Sequence, residues 1–266
     1  MNFFQSLLFF FVSFLASIAG AICGIGGGVI IKPTLDLFGW SNVTTISFLS
    51  GCTVLSMSCY SVSRSIFTKD NSIKLNTGTP LAIGAAIGGV TGNQLFSIIK
   101  SIFKNPNTIG AVQAGCLCII TIGTLLYTLH KEKIRVLHVQ NKLLCLAIGL
   151  FLGIMSSFLG IGGGPINLVV LYYFFGMNTK TAAANSLYII LFSQISNLFT
   201  TVISGNVPEF DIITLILMIS GGIFGGIIGR KINKHINSKS VDKLFICLMV
   251  VIIIINIYNI WKYTCL

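Results

Sequence analysis

Two stretches carry the chemistry on offer: Gly24-Ile25-Gly26-Gly27-Gly28 and, 136 positions later, Gly160-Ile161-Gly162-Gly163-Gly164. Each interrupts an apolar run that would otherwise pass for one membrane helix. Clustered glycines let a chain reverse at backbone angles other residues avoid. The apolar run after each cluster is short, Val29 to Phe38 and Pro165 to Phe175, or roughly 15 Å of helix. Such a half-helix begins near mid-membrane, with unpaired N–H groups and the positive end of its dipole exposed. In lipid those groups must be satisfied by protein, water or a ligand, and an anion is the matching ligand. The candidate anion-binding backbone is therefore Gly26, Gly27 and Gly28 together with Gly162, Gly163 and Gly164. Pro165 opens its half-helix where proline's missing N–H costs nothing. Tight packing would also explain the glycines, but not the half-length helix after them.

Side chains near the breaks extend the candidate site. Asn167 lies one turn into the second half-helix. Asn185 and Ser186 sit in the next span, aligned with Ser50 and Gly51 of the first half, and Gln194, Asn197 and Gln113 lie elsewhere in apolar segments. Such residues either meet substrate or join helices to one another. Lys32 is the one cation well inside an apolar element, which makes it functional by default. It either counters an anion directly, or pairs with Asp36 four residues on, or snorkels to the surface. Lys32-Pro33 also shortens or kinks the regular part of its half-helix.

The elements that must hold these residues are membrane spans. Of 266 residues, 54% are hydrophobic and 9% charged, against about 25% charged in soluble domains. Breakers divide the chain into a broken element (Phe3–Phe38), three spans (Val43–Ser63, Thr79–Ile99, Ile109–Leu129), a polar linker, a second broken element (Leu143–Phe175) and three more spans (Ala182–Ile203, Ile212–Gly229, Leu244–Trp261). Gly84, Gly88, Gly89 and Gly92 recur as Gly221, Gly225, Gly226 and Gly229, each 137 positions later. Two signatures in one order make the chain an internal duplication: residues 1–130, a cytoplasmic linker at 131–141, and residues 142–266.

Charge decides the orientation of the copies. If each broken element crosses once, Lys and Arg outside Lys32 divide eight against eight between the faces. If each is a hairpin that leaves by the side it entered, they divide thirteen against three, with only Lys100, Lys104 and Lys262 on the poorer face. The second division obeys the positive-inside rule and the first does not. Three full crossings per half then invert the second copy. The expected fold is an all-α polytopic membrane protein, an inverted repeat of two halves, each a glycine-broken hairpin plus three transmembrane helices. Both termini face away from the cytoplasm, and the expected location is a bacterial-type cell membrane. Inverted repeats with interrupted helices characterise secondary transporters.

Other classes fit poorly. The net charge of +11 sits in loops, as the positive-inside rule requires, and does not read as a nucleic-acid surface. The run from Phe3 has no Lys or Arg ahead of it, unlike a signal peptide. Eight cysteines show no CxxC or Cys/His metal spacing. The glycine clusters lack the third glycine and βα context of a dinucleotide fingerprint. No catalytic or cofactor motif is present, so an enzyme is not expected.

Both glycine clusters, the second continuing to Pro165-Ile166-Asn167, resemble the paired motifs of the sulfite exporter TauE/SafE family of permeases. So do Ala184-Asn185-Ser186 and the glycine-rich third spans, the latter ending in Gly229-Arg230-Lys231. The resemblance covers essentially the whole chain. It implies movement of small organic or inorganic anions, often sulfur oxyanions such as sulfite, sulfoacetate or thiosulfate, driven by the proton gradient. Two departures stand out: Val29 where the second copy has Pro165, and Lys32 where an apolar residue is expected before a proline.

The leading expectation is a secondary transporter of a small anion, with a passive anion channel or a non-transporting receptor or scaffold as alternatives. The partners expected are that anion and the lipid bilayer. The topology has a direct check: a periplasm-dependent reporter fused at residue 205 should be active and one at 136 silent, and the reverse pattern would overturn the hairpin argument.

Overall fold

The computed structural model describes residues 3–68, 72–102 and 106–265. Lys69 and Lys104, counted in the charge argument, lie outside them. The helices are α1 (Phe3–Cys23), α2 (Gly28–Phe38), α3 (Val43–Phe67), α4 (Leu75–Ile102), α5 (Pro106–His130), α6 (Lys142–Leu159), α7 (Gly164–Phe175), α8 (Thr179–Ile203), α9 (Ile212–His235) and α10 (Ser238–Cys265). Eight of these are long and apolar enough to cross a membrane. Large apolar side chains such as Phe11, Leu15, Ile119 and Ile254 point outward, the pattern of a lipid-facing surface.

Most helices outrun the apolar windows read from the sequence. α9 continues past Gly229 to His235, and α8 starts at Thr179 rather than Ala182. Helix ends are set by capping rather than by the edge of the grease. Asn178, for example, accepts the Thr181 N–H at 2.9 Å and so starts α8 early. The linker is not featureless either: it forms a 3-10 turn over Lys131–Lys133. It then lies along the end of α7, where Leu137 and Val139 donate to the carbonyls of Tyr173 and Phe174.

Helix α10 serves as a ruler for the ends of the bundle. Asp242 and Lys262 are 20 residues apart on it, about 30 Å along its axis. α7 finishes beside Asp242, where Lys131 pairs with that carboxylate at 2.6 Å and lies 5.0 Å from the Tyr172 ring centre. α2 finishes beside Lys262, whose ammonium donates to the carbonyls of Asp36 and Leu37 at 3.2 and 3.1 Å. The half-helices therefore run to opposite ends. α1 begins at the end where α2 finishes, because Phe9 stacks on Trp40 just beyond α2, centroids 6.3 Å apart. We call the end carrying Lys131 and Asp242 the basic end, and the other the opposite end.

Glycine rows fix how the long helices pack. A Cβ at Gly84, Gly88 or Gly92 of α4 would strike the carbonyls of Leu146, Leu150 or Ile154 of α6. On α9, Gly221, Gly225 and Gly229 meet the carbonyls of Phe10, Phe14 and Ile18 of α1 in the same way. Backbones this close gain dispersion and polar contacts that side chains would prevent, which is the main source of helix affinity in lipid. The other pairings also correspond: α4 lies against α8 as α9 lies against α3, and α2 against α10 as α7 against α5. Exchanging the halves leaves this pattern unchanged. Gly88→Leu should destabilise the detergent-solubilised protein by about 1–3 kcal/mol through overpacking, read as a lower melting temperature. Gly123→Leu, at a glycine with nothing within 4 Å, should not.

Candidate functional site

Both broken helices terminate the same way. α1 and α6 are followed by Gly24 and Gly160 with φ of 76° and 66°, the left-handed conformation that ends a helix and that glycine adopts without strain. Beyond them the two clusters differ although their sequences agree. Only Gly26 has a positive φ after Gly24, whereas Gly162, Gly163 and Gly164 all do, with Gly163 at 111°. Pro165 accounts for Gly164, because its ring disfavours the right-handed helical region for the residue before it. Gly27, the counterpart of Gly163, is helical at φ −62° and ψ −20°.

The clusters meet. A Cβ at Gly28 would collide with the Ile161 carbonyl, and one at Gly164 would come within 2.5 Å of Val29. Two fully buried side chains clamp this junction. Val54 of α3 lies against Gly26, Gly28 and Gly162, and Ile190 of α8 against Gly26 and Gly163. They are 136 positions apart, the offset of the clusters themselves. Ser50 and Ser186 precede them by one turn, so Ser50 corresponds to Ser186 and not, as expected from the sequence, to Asn185; each is 0% exposed, with a hydroxyl that has no partner among the described residues.

Four helix ends converge here, and they are treated unequally. The carbonyl ends are capped by side chains. Lys32 donates to the Leu159 carbonyl at 2.8 Å, Gln113 to that of Phe158 at 2.7 Å, and Asn233 to that of Ile22 at 2.5 Å. The N–H ends are not: among the described residues no backbone carbonyl accepts from Gly26, Gly27 or Gly28, nor from Gly162, Gly163 or Gly164. Beside them stand amide groups with unspent capacity. Asn167 is 1% exposed, its Oδ1 has no partner, and its Nδ2 lies against Gly163. Gln194, also 1% exposed, has neither amide atom paired, and its Nε2 faces Gly162.

No described carboxylate reaches the junction to offset two positive dipole ends. Asp36 is at the far end of α2, Asp242 at the basic end, and Asp211 caps the start of α9 at 3.2 Å from the Ile213 N–H. The arrangement is suited to hold a small anion.

Two expected site residues already have protein partners. Asn185 has its amide fully used, accepting the Lys74 N–H at 3.0 Å and donating to the carbonyls of Ser72 and Thr181 at 3.0 and 2.8 Å. It ties the α3–α4 loop to α8, away from the junction. Lys32 does not pair with Asp36. Its buried ammonium donates to Gln113 Oε1 at 2.5 Å as well as to Leu159, so it caps α6 from the opposite half. Gln113 belongs to that cap, and Asn197 accepts from Asn93 at 2.7 Å. Cys23 is buried without a disulfide, and no metal-holding cluster is found among the described residues. Val54 and Ile190 were missed by sequence reasoning. Extending the 136-residue offset from the glycines into the next span is the signal that finds them.

Cavities approach the junction from both ends. One of about 370 Å³ at the opposite end is lined by Ser47, Gln113, Ser157 and Gly160, among others. One of about 290 Å³ at the basic end reaches Ala21 and Ala183, and Ala183 packs on Gly24. Val54 and Ile190 line neither.

Interrupted apolar helices, a central polar junction and an access cavity from each end define a multi-pass membrane transporter. The chain belongs to the sulfite exporter TauE/SafE family, whose model matches residues 9–255. It is similar to the probable membrane transporter protein YunE of Bacillus subtilis (strain 168), 24% identical over 216 residues that cover 73% of this chain and 77% of the relative. No solved structure matches it.

The Lys32 cap has its own test. Lys32→Met leaves two buried acceptors without a donor, and should cost about 1–3 kcal/mol of stability in detergent. Gln113→Met should cost less when Lys32 is already gone, so the double variant loses less than the sum. Additive losses would show that the two side chains act separately.

Proposed function

We propose that the protein is a secondary transporter moving a small anion, a sulfur oxyanion or an organosulfonate, through the junction of the two glycine clusters. One observation carries the reading. The carbonyl ends at the junction are capped by Lys32, Gln113 and Asn233, while the N–H ends of α2 and α7 are open beside Asn167, whose Oδ1 has no partner, and the unpaired amide of Gln194. The bound anion lies between Gly26–Gly28 and Gly162–Gly164, with Asn167 and Gln194 turned to donate. Ser50 and Ser186 add hydroxyls, Pro165 aims α7, and Lys32 contributes its charge from behind Gly160.

The two halves, residues 1–130 and 142–266, form an inverted repeat joined by the cytoplasmic linker 131–141, and both termini lie outside. Opposite half-helix directions and exchangeable pairings support this. The closed junction between two cavities favours alternating access over an open channel, as repeats of this kind rock around a fixed central site.

Reconstituted vesicles test the proposal with a panel of sulfite, thiosulfate, sulfate and sulfoacetate. Accumulation against a gradient, driven by pH or potential, is the expected result. Downhill flux alone would replace the transporter with a channel, and no flux for any of the panel would remove both. Asn167→Ala should lower flux about tenfold, equivalent to the loss of roughly 1.4 kcal/mol, with normal membrane insertion. Gly163→Leu should abolish it. Unchanged flux in Asn167→Ala would exclude that residue from the site.

A further inference from the structure

The two cavities are related by the duplication, and their charges differ at equivalent places. Thr44, Asn93 and Ser97 line the cavity at the opposite end. Lys180, Arg230 and Lys234 line the one at the basic end, 136, 137 and 137 positions later. Three neutral side chains of one wall are thus three cations of the other. No carboxylate lines the basic-end cavity among the described residues. Arg230 donates from Nη1 to the Ser61 carbonyl at 2.7 Å, which holds its guanidinium between α9 and α3. Orientation in the membrane requires only that cations lie somewhere in these loops. It does not require them to converge on one hollow that ends at the first glycine cluster.

A concave surface lined by one sign of charge focuses the field and raises the local concentration of oppositely charged solutes. Lys180 and Lys234 supply mobile point charges to an oxyanion, and Arg230 adds to the field from between α9 and α3. A volume of about 290 Å³ lies at the small end of ligand pockets, which span ~300–1,000 Å³, and so suits an anion of few atoms. We infer that the basic-end cavity is an anion-loading site, distinct from the junction, in which Lys180 and Lys234, within the field of Arg230, hold a small oxyanion before it reaches Gly24–Gly28. The cavity at the opposite end has no counterpart. This inference rests on the anion reading of the junction, yet it is tested without transport.

The test uses purified full-length protein with a cysteine introduced at Ala184→Cys in the basic-end cavity, or at Ser97→Cys in the other. Labelling by an anionic and by a neutral thiol reagent is followed on the peptide carrying the new cysteine. Inorganic sulfate is the probe, and sodium chloride at matched ionic strength is the control. Sulfate should protect Ala184→Cys from the anionic reagent saturably and chloride should not, while Ser97→Cys should show no such difference. Adding Lys180→Gln and Lys234→Gln should weaken sulfate protection about tenfold or more, within the 10–10³ range that such fields produce. Lys180→Arg with Lys234→Arg should restore it. The neutral reagent should react at one rate in all variants, which shows the cavity intact. Equal protection by chloride, equal protection at Ser97→Cys, or protection that survives loss of both lysines would overturn the loading site.

Discussion

A helix that starts inside a membrane leaves N–H groups with nowhere to go, and a helix that stops there does the same to its carbonyls. This chain has two of each at one junction. The carbonyls are dealt with by the protein itself, through Lys32, Gln113 and Asn233. Each cap joins a residue before the linker to one after it, so satisfying the backbone also ties the two parts of the chain together. The N–H groups have no such partner. With half-charges at the starts of α2 and α7 and no described carboxylate nearby, the junction has an excess of donors that an anion would answer.

The long helices answer the need to keep that junction dry and narrow. Gly84, Gly88 and Gly92 hold α4 on α6, and Gly221, Gly225 and Gly229 hold α9 on α1, through backbone contact. Lipid tails offer no hydrophobic incentive for helices to associate, so contact of this closeness takes its place. The helices that carry the breaks are therefore the most tightly held, and α3 and α8 bring Val54 and Ile190 onto the glycines from either side.

The two glycine clusters are identical in sequence, but their surroundings differ where difference has a consequence. Pro165 stands where the first cluster is followed by Val29, and Gly163 and Gly164 take positive φ where Gly27 and Gly28 do not. Lys32 stands where the second copy has Leu168 at the 136-residue offset, and caps only one of the two broken helices. Cations gather in one cavity wall and not in the other. A symmetric scaffold thus carries an asymmetric electrostatic profile from end to end.

Much of this was legible beforehand. Apolar length and hydrogen-bonding necessity dictate spanning helices, the glycine clusters dictate breaks, and the short runs after them dictate half-helices. These are local properties of consecutive residues. What needed the tertiary structure were the partners of polar groups, because a side chain's odds of meeting substrate or a neighbour depend on residues far away in the chain. Asn185 looked like a ligand and is spent on a loop. Lys32 could have countered an anion, paired with Asp36 or reached the surface, and its ammonium caps a helix 127 residues away. Gln194 had no local feature to raise it above Gln113, yet it is Gln194 that lies unpaired at the junction. By itself the sequence determined where the backbone must break and that two breaks share one form. Only the packed bundle decided which of the exposed helix ends is closed by protein and which is left open.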